Sequence, residues 1–339
     1  MNRLNPSLVR QVFVLLLILF FGVLIFNEMI PYLTGILGAI TLFVLLRNWM
    51  KALVQKGWRK AWSAALLMFG SFICILLPIV AIIFMLSSKI GKAVSNSEKV
   101  VNALKEQLNE LEKYIGYDIS STIDGSSITN WISSSLKNLA GGTFTAFIAV
   151  GIMYFLLYYM LINQERMKDI LTAYIPLDKK NIKLIGKESN ESVKSNALGI
   201  PLVALIQGVV ALVGFLIFDI PDPFFWFAIT AIGSMIPFIG TAIGIIPVTI
   251  IMFSQGANFQ AFGILIYGFV VVGSTDNIVR LYILEKLSSV HPLITLFGVV
   301  VGVPLFGFIG LIFGPLLISL FLLILKIYKK EYGNENDKL

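Results

Sequence analysis

Long apolar segments separated by short polar links make up most of this chain. A helix that rises about 1.5 Å per residue needs about 20 apolar residues to cross a hydrocarbon core about 30 Å thick. Six segments approach that length without a break, and the pattern predicts a full transmembrane helix for each of them: 11–30, 31–46, 61–86, 143–162, 198–218 and 259–280.

Two further apolar blocks, 224–253 and 293–325, are too long for one straight crossing and are interrupted by "SMIPFIGTAIG" and "VGVPLFGFIGLIFG". Broken backbone within a bilayer is tolerated only where it is buried in protein or lines a water-filled cavity. Each block is therefore predicted to be a hairpin or a discontinuous helix, with half-helix ends near Pro237 and Pro304. Close helix packing is expected at three Gly-x-x-x-Gly pairs, namely Gly240 with Gly244, Gly298 with Gly302, and Gly310 with Gly314.

The two broken blocks resemble each other. "FIGTAIG" at 238–244 and "FIGLIFG" at 308–314 match in Phe, Ile and two Gly at an offset of 70 residues, although chance is a serious alternative in so apolar a composition. A real repeat allows two topologies. Parallel repeats place loop 281–291 outside, whereas inverted repeats of re-entrant hairpins place it inside, as the distribution of basic residues favours.

Composition agrees with a membrane protein. Hydrophobic residues are 57% of the chain, charged residues only 13%, and the mean hydropathy is +0.88. A soluble protein this apolar lacks enough polar surface to cover its core, so the surplus must face lipid. The predicted fold class is an all-α polytopic membrane protein.

Basic residues predict the orientation. The link after the second helix carries five cations and no acid, which indicates the cytoplasmic side; they are Arg47, Lys51, Lys56, Arg59 and Lys60. Both termini are expected on the same side, in a bacterial cytoplasmic (inner) membrane. The first apolar segment lacks a small-x-small cleavage site and is interpreted as a retained helix.

The predicted organisation has five parts. They are N-terminal transmembrane helices (1–86), an extracytoplasmic helical segment (87–140), a helix with a cytoplasmic linker (141–197), a repeat-containing transport core (198–330) and a polar cytoplasmic tail (331–339). The extracytoplasmic segment carries a heptad seam between residues 90 and 115. That seam packs either on residues 128–139 of the same chain or on another subunit.

The candidate chemistry lies in "GSTDNIVR", where Asp276, Asn277 and Arg280 end an apolar run. Asp276 and Arg280 stand four residues apart, in the favourable order for a helical ion pair. Either Arg280 neutralises Asp276 at a helix terminus, or Asp276 belongs to a polar pathway in which H+ or Na+ is coupled to transport. Gln207 on the matching span forms either an interhelical hydrogen bond or a solute contact.

Hydroxyl groups near the predicted hairpin ends complete the set of candidate pathway residues, which adds Ser234 and Thr241. Enzymatic chemistry has little support. One histidine excludes a His-Glu-x-x-His metal site, no phosphate-binding Gly-Lys-Ser/Thr loop is present, and an aspartyl mechanism lacks a second core acid. No metal, cofactor or nucleic acid is expected.

The stretch from "PLVALIQGVVALVGFLIF" through "STDNIVR" to "HPLITLFGVVVGVPLFGFIGLIFGPLL" resembles the autoinducer-2 exporter family of bacterial membrane proteins. The resemblance covers roughly residues 198–325 and implies a homo-oligomeric transporter. Its motifs map onto Asp276, Asn277 and Arg280; onto Pro237, Phe238 and Gly240; onto His291 and Pro292; and onto Gly307, Gly310, Gly314 and Pro315. Leu281 stands where the family often has proline.

The resemblance implies a secondary transporter or exporter of a small polar solute such as autoinducer-2, coupled to H+ or Na+. Two alternatives stay open. One is a passive oligomeric channel, and the other is a Na+/H+ antiporter with no organic substrate. Membrane lipid and a small solute are the expected partners.

Overall fold

The structure is a computed structural model that describes residues 6–75, 143–175, 177–236, 240–276, 278–279, 282 and 292–332. Within these ranges the regular secondary structure is helical. The predicted extracytoplasmic segment 87–140, its heptad seam and the end of the tail lie outside the described residues.

The described helices follow one another in chain order. They are α1 (Pro6–Met29), α2 (Leu33–Gln55), α3 (Lys60–Ile75), α4 (Thr143–Ile162), α5 (Gln164–Tyr174), α6 (Lys179–Ile217), α7 (Pro223–Gly233), α8 (Gly240–Ser254), α9 (Asn258–Tyr267), α10 (Pro292–Phe306) and α11 (Gly310–Tyr332). Short 3₁₀ turns join α1 to α2 and α10 to α11.

Four helical stretches in the described ranges are long and apolar enough to cross a membrane, and the bent pair α4–α5 makes a fifth. The four are Arg10–Gln55, Lys179–Ile217, Asn258–Asp276 and Leu293–Lys329. The all-helical membrane architecture is therefore confirmed, and four or five apolar helical stretches of spanning length lie within the described residues. α1 and α2 run on through one 3₁₀ turn and form a single stretch, and α3 is described only as far as Ile75.

α6 begins well before its apolar part and continues without a break across the expected boundary at 197/198. Hydropathy marks the part of a helix that lies in hydrocarbon, whereas the helix itself begins after Asp178. Its outward face exposes aliphatic side chains such as Leu202, Leu205 and Val209. Its buried face carries small and polar residues, which is the arrangement that permits close helix packing in lipid.

The buried face of α6 connects the rest of the described core. Its first half packs on α11, where Val193 shares a cluster with Phe313. Its second half packs mainly on α7, where Gly208 lies against Ala231 and Phe227, and Ala211 shares a cluster with Ile245 of α8 and Ile264 of α9. In the folded structure α6 therefore lies between the two hairpins that the broken blocks form.

The first broken block folds back on itself as hairpin 1, formed by α7 and α8. Gly240 lies so close to the carbonyl of Gly233 that a Cβ there would overlap it, and Gly244 lies equally close to Thr230. Gly240 meets Gly233 near the turn, and Gly244 meets Thr230 farther from it, so α7 and α8 run antiparallel.

The second broken block folds back in the same way as hairpin 2, formed by α10 and α11. Gly310 abuts the carbonyl of Gly302, and Gly314 abuts that of Gly298, 16 residues away. The turn begins at Gly307, whose φ of +62° is a conformation that favours glycine. The predicted glycine contacts are thus interhelical within each hairpin.

α1 stands apart from this core. From Val12 to Phe26 every hydrophobic side chain is between 38% and 65% exposed, on all sides of the helix. A helix that is hydrophobic all round requires lipid or another protein around it.

We expect Gly314→Ala to destabilise hairpin 2, because the methyl group would overlap the Gly298 carbonyl and force α10 and α11 apart. Overpacking of this kind costs about 1–3 kcal/mol. The measurement is the thermal midpoint of detergent-purified protein by size-exclusion chromatography. Gly151→Ala on α4 is the matched control, since its methyl group meets nothing within 4 Å. Equal midpoints for the two variants would contradict the close packing.

Candidate functional site

A buried hydrogen bond joins α6 to the end of the α9 segment, which is the helical stretch Asn258–Asp276 that begins with α9. Gln207 Nε2 donates to Asp276 Oδ1. Gln207 is 1% exposed and Asp276 is 7% exposed, so both side chains are shielded from the surroundings of the protein. Two residues that the sequence singled out separately are therefore in direct contact, and the interhelical hydrogen bond predicted for Gln207 has an acid as its acceptor.

α6 and the α9 segment run antiparallel where they meet. The ring of Tyr267 lies against Gly214, and its hydroxyl donates to the carbonyl of Val210 over 3.0 Å. Compared with the Tyr267 contacts, the Gln207–Asp276 bond lies nearer the start of α6 and nearer the end of the α9 segment. Residue numbers fall along one helix as they rise along the other.

A π-helical turn at Gly268–Val272 lies between α9 and Asp276. Gly268 starts it in close contact with Ile245 of hairpin 1, where a side chain would not fit. An extra residue within one turn rotates all later side chains by roughly 100° about the axis. The turn therefore determines which face of the segment presents Asp276.

The other polar atom of the Gln207 side chain is an acceptor without a described partner. Oε1 is buried and makes no hydrogen bond within the described part of the chain. A buried amide oxygen left unsatisfied costs about 1–3 kcal/mol, so such atoms are rare in native proteins. Oε1 is thus an acceptor able to receive a donor from a bound solute or to contact a cation.

The turn of hairpin 1 packs close to this pair. Met235 contacts the cluster that contains Ile200 of α6 and is joined by Val303 of hairpin 2. Ser234, the residue before Met235, is 1% exposed, while Thr241 at the start of α8 is half-buried. Both hairpins therefore reach the face of α6 that carries Gln207, about two helical turns away.

Several predicted site residues fall outside the described residues, namely Asn277, Arg280, Pro237, Phe238 and His291. The alternative of an Asp276–Arg280 ion pair therefore stays a prediction. Of the predicted turn prolines, Pro304 lies inside α10, two residues before that helix ends, and Pro315 lies inside α11.

Sequence reasoning missed a second group of buried polar residues on α6. Ser192, Ser195 and Asn196 are each less than 5% exposed, and Asn196 Nδ2 donates to the Ile312 carbonyl of hairpin 2 over 3.2 Å. They lie in a stretch whose basic residues made it read as a cytoplasmic linker. The helical spacing of Ser192, Asn196 and Gln207 on one face was the available signal.

The Asn196 contact lies beside a proline in α11. Pro315 has no N–H, so it cannot bond the Leu311 carbonyl, and its ring disturbs the turn of α11 before it. Freed backbone groups inside a membrane protein are satisfied by neighbouring helices. Asn196 provides such a bond to the carbonyl of Ile312, next to Leu311. It thus fixes hairpin 2 to α6.

Comparison with known proteins agrees with this architecture. The family model described as AI-2E family transporter matches residues 13–330, which is nearly the whole chain. The chain belongs to the AI-2E transporter family. It is therefore a multi-pass membrane protein of a transporter family.

Relatives within the AI-2E family carry provisional names as transport proteins. One from Aquifex aeolicus is 24% identical over 243 residues, which are 70% of this chain and 69% of the relative. One from Treponema pallidum is 28% identical over 51% of this chain and 43% of its own length, and one from Helicobacter pylori is 21% identical over 79% and 83%. The chain thus spans less than half of the Treponema protein.

We expect Asn196→Leu to loosen hairpin 2, because the hydrogen bond from Asn196 Nδ2 to the Ile312 carbonyl is lost. A hydrogen bond of this kind contributes about 0.5–1.5 kcal/mol. The readout is the thermal midpoint together with the rate of proteolysis in detergent. Asn48→Leu is the control, because Asn48 is exposed on α2. A variant as stable as this control would remove the anchoring role of Asn196.

Proposed function

We propose that the protein is a secondary transporter that exports a small polar solute and couples this movement to H+ or Na+ at the Gln207–Asp276 pair. One observation carries the proposal: a buried carboxylate is bonded to a neutral amide between two antiparallel helices that pack on the helical hairpins. Ionisable residues within membrane segments are functional candidates by default, because burial of their charge is costly.

The pair suits a change of protonation. A carboxylate accepts a hydrogen bond from the amide nitrogen, whereas a carboxylic acid donates one to the amide oxygen after the amide rotates. Gln207 can therefore satisfy Asp276 in either state. In the ionised state Oε1 and the carboxylate oxygens together offer the oxygen ligands that a hard cation such as Na+ prefers.

The lengths of the hairpin arms support re-entry. α7 has 11 residues and α8 has 15, so they extend roughly 16 Å and 22 Å at 1.5 Å per residue. Neither reaches the ~30 Å of a hydrocarbon core. Hairpin 1 therefore enters the membrane and returns to the same side.

The antiparallel contact between α6 and the α9 segment supports inverted repeats. If the first broken block crossed the membrane, the two spans would point the same way; if it re-enters, they point in opposite ways. At the offset of 70 residues Gln207 corresponds to Asn277, the neighbour of Asp276. In a two-fold arrangement equivalent positions meet only at the axis, so the bond between Gln207 and the residue before its equivalent supports a polar pair close to that axis.

A solute with several hydroxyl groups, such as autoinducer-2, matches the polar groups assigned to the pathway. Gln207 Oε1 accepts a hydrogen bond, and the side chains of Ser234, Thr241 and Asn277 both donate and accept. Arg280 completes the pathway as the counter-charge of Asp276 when no cation is bound. Substrate choice follows from the family resemblance together with this chemistry.

The exposed α1 supports assembly into a homo-oligomer in the bacterial cytoplasmic membrane, with α1 against a second copy. The basic link between α2 and α3 supports cytoplasmic termini. Na+/H+ exchange without an organic solute is the second candidate, because the same acid–amide pair can serve it. A passive oligomeric channel is the remaining outcome.

We expect Asp276→Asn to abolish gradient-driven solute flux in proteoliposomes with imposed pH or Na+ gradients, because an amide can neither release a proton nor balance a cation. Asp219→Asn is the matched control. Asp219 is exposed, and its φ of 51° is one that asparagine tolerates well. Saturable flux driven by the gradient in wild type and control, but lost in Asp276→Asn, supports the proposal.

The other outcomes distinguish the alternatives. Cation exchange without solute flux points to the antiporter, and linear flux that ignores the gradients points to the channel. Unchanged coupled flux in Asp276→Asn contradicts the role of the pair.

Topology has its own test, which uses impermeant maleimide in a Cys74→Ser background. Inverted re-entrant repeats place Gln255→Cys, between α8 and α9, outside, and Leu293→Cys, at the start of α10, inside. Parallel spanning repeats reverse both positions. Labelling of right-side-out cells at residue 293 but not at residue 255 would reject the inverted arrangement.

A further inference from the structure

A cavity of about 530 Å³ lies where α2, α3, α4 and α5 meet. Its walls combine the last turn of α2, the first residue of α3 and the junction between α4 and α5. Three apolar helices become polar at this level: α2 ends at Gln55, α3 begins at Lys60 and α4 ends at Ile162. That common level marks the edge of the hydrocarbon core.

The cavity wall is cationic. Lys51, Lys60 and Arg166 line it together with a single acid, Glu165. None of the three cations forms an ion pair with a described residue. The deeper lining is apolar and includes Met50 and Leu161, both almost fully buried. The wall therefore offers positive charge at its mouth and hydrocarbon at its floor.

The surroundings of the cavity match a membrane interface. Trp49, Trp58 and Trp62 are 68%, 49% and 68% exposed, and tryptophan is enriched at the level of lipid headgroups. α5 turns by 91° from α4, so it runs across the axis of that span rather than along it. An apolar span followed by such a helix places the α4–α5 junction at the headgroups.

An apolar groove of about 540 Å³ starts beside this cavity and follows one face of α3. Arg59 stands at its head, and Trp62, Leu66 and Phe69 continue along the same face. The ten helical steps from Arg59 to Phe69 extend about 15 Å, close to half of a ~30 Å core. A groove of this length fits one acyl chain. A soluble anion bound in the cavity would leave the apolar groove uncovered.

We propose that this corner of the protein binds an anionic glycerophospholipid, with the phosphate held by Lys51, Lys60 and Arg166 and an acyl chain along α3. Charge complementarity selects the headgroup, because ammonium and guanidinium groups bind phosphate oxygens through charge-assisted hydrogen bonds. The apolar groove selects an amphiphile over inorganic phosphate.

Intrinsic tryptophan fluorescence provides the test, because three of the five tryptophans of the chain flank the site. Full-length protein with Trp131→Phe and Trp226→Phe is reconstituted in vesicles that contain brominated phosphatidylglycerol or brominated phosphatidylcholine at equal mole fraction. Bromine quenches tryptophan at contact distance. We expect several-fold stronger quenching by the anionic lipid, retained at physiological salt.

The variant Lys51→Gln/Lys60→Gln/Arg166→Gln should lose this preference, while Arg47, Lys56 and Arg59 remain to maintain the topology. The matched control is Lys179→Gln/Lys180→Gln/Lys183→Gln, which removes the same charge from exposed positions at the start of α6. Arg166→Gln alone should weaken the preference and provides a milder variant if the triple variant does not fold. Size-exclusion profiles check folding.

Three results would overturn the proposal: equal quenching by both lipids in wild type, an equal loss in the α6 control, or loss of the preference when millimolar inorganic phosphate is added. The last result would identify a site for soluble anions.

Discussion

Backbone polar groups have no water to bond within a bilayer, and this constraint shapes the described core. Both broken blocks interrupt their helices with glycine and proline, so their freed groups must find partners in the protein. Close glycine contacts bring the two helices of each hairpin together, and the buried face of α6 packs on both hairpins. Asn196 bonds a hairpin carbonyl beside the turn that Pro315 disturbs, and Met235 at the turn of hairpin 1 packs beside Ile200.

The same face of α6 that anchors the hairpins carries Gln207, so the structural anchor and the candidate site share one helix. α6 holds hairpin 2 through Asn196, while the α9 segment holds hairpin 1 through the contact of Gly268 with Ile245. α6 also packs on α7 of hairpin 1, where Gly208 lies against Ala231 and Phe227, so it contacts both hairpins. Gln207 and Asp276 form a polar contact between the two spans, and a change of charge there acts on both under the proposed mechanism.

The sequence predicted the features that depend on short-range chemistry. Length and hydropathy gave the membrane class, and glycine and proline gave the two breaks. Asp276 and Gln207 stood out because polar side chains are rare in such segments. It did not predict that the two would bond each other, because that contact depends on the antiparallel crossing of α6 and on the π-helical turn at Gly268–Val272. No local sequence pattern predicts an extra residue in one helical turn.

Asn196 shows a second limit of sequence reasoning, because its charged surroundings suggested a soluble linker. A long amphipathic helix passes through the interface without a change of backbone, so lysines on one face coexist with buried serine and asparagine on the other. Average charge describes the exposed face only. The buried face follows the helical period, and it places Ser192, Asn196 and Gln207 in one row. That row places polar side chains among the apolar ones on the face of α6 that meets the hairpins, while the exposed face of its apolar half is aliphatic.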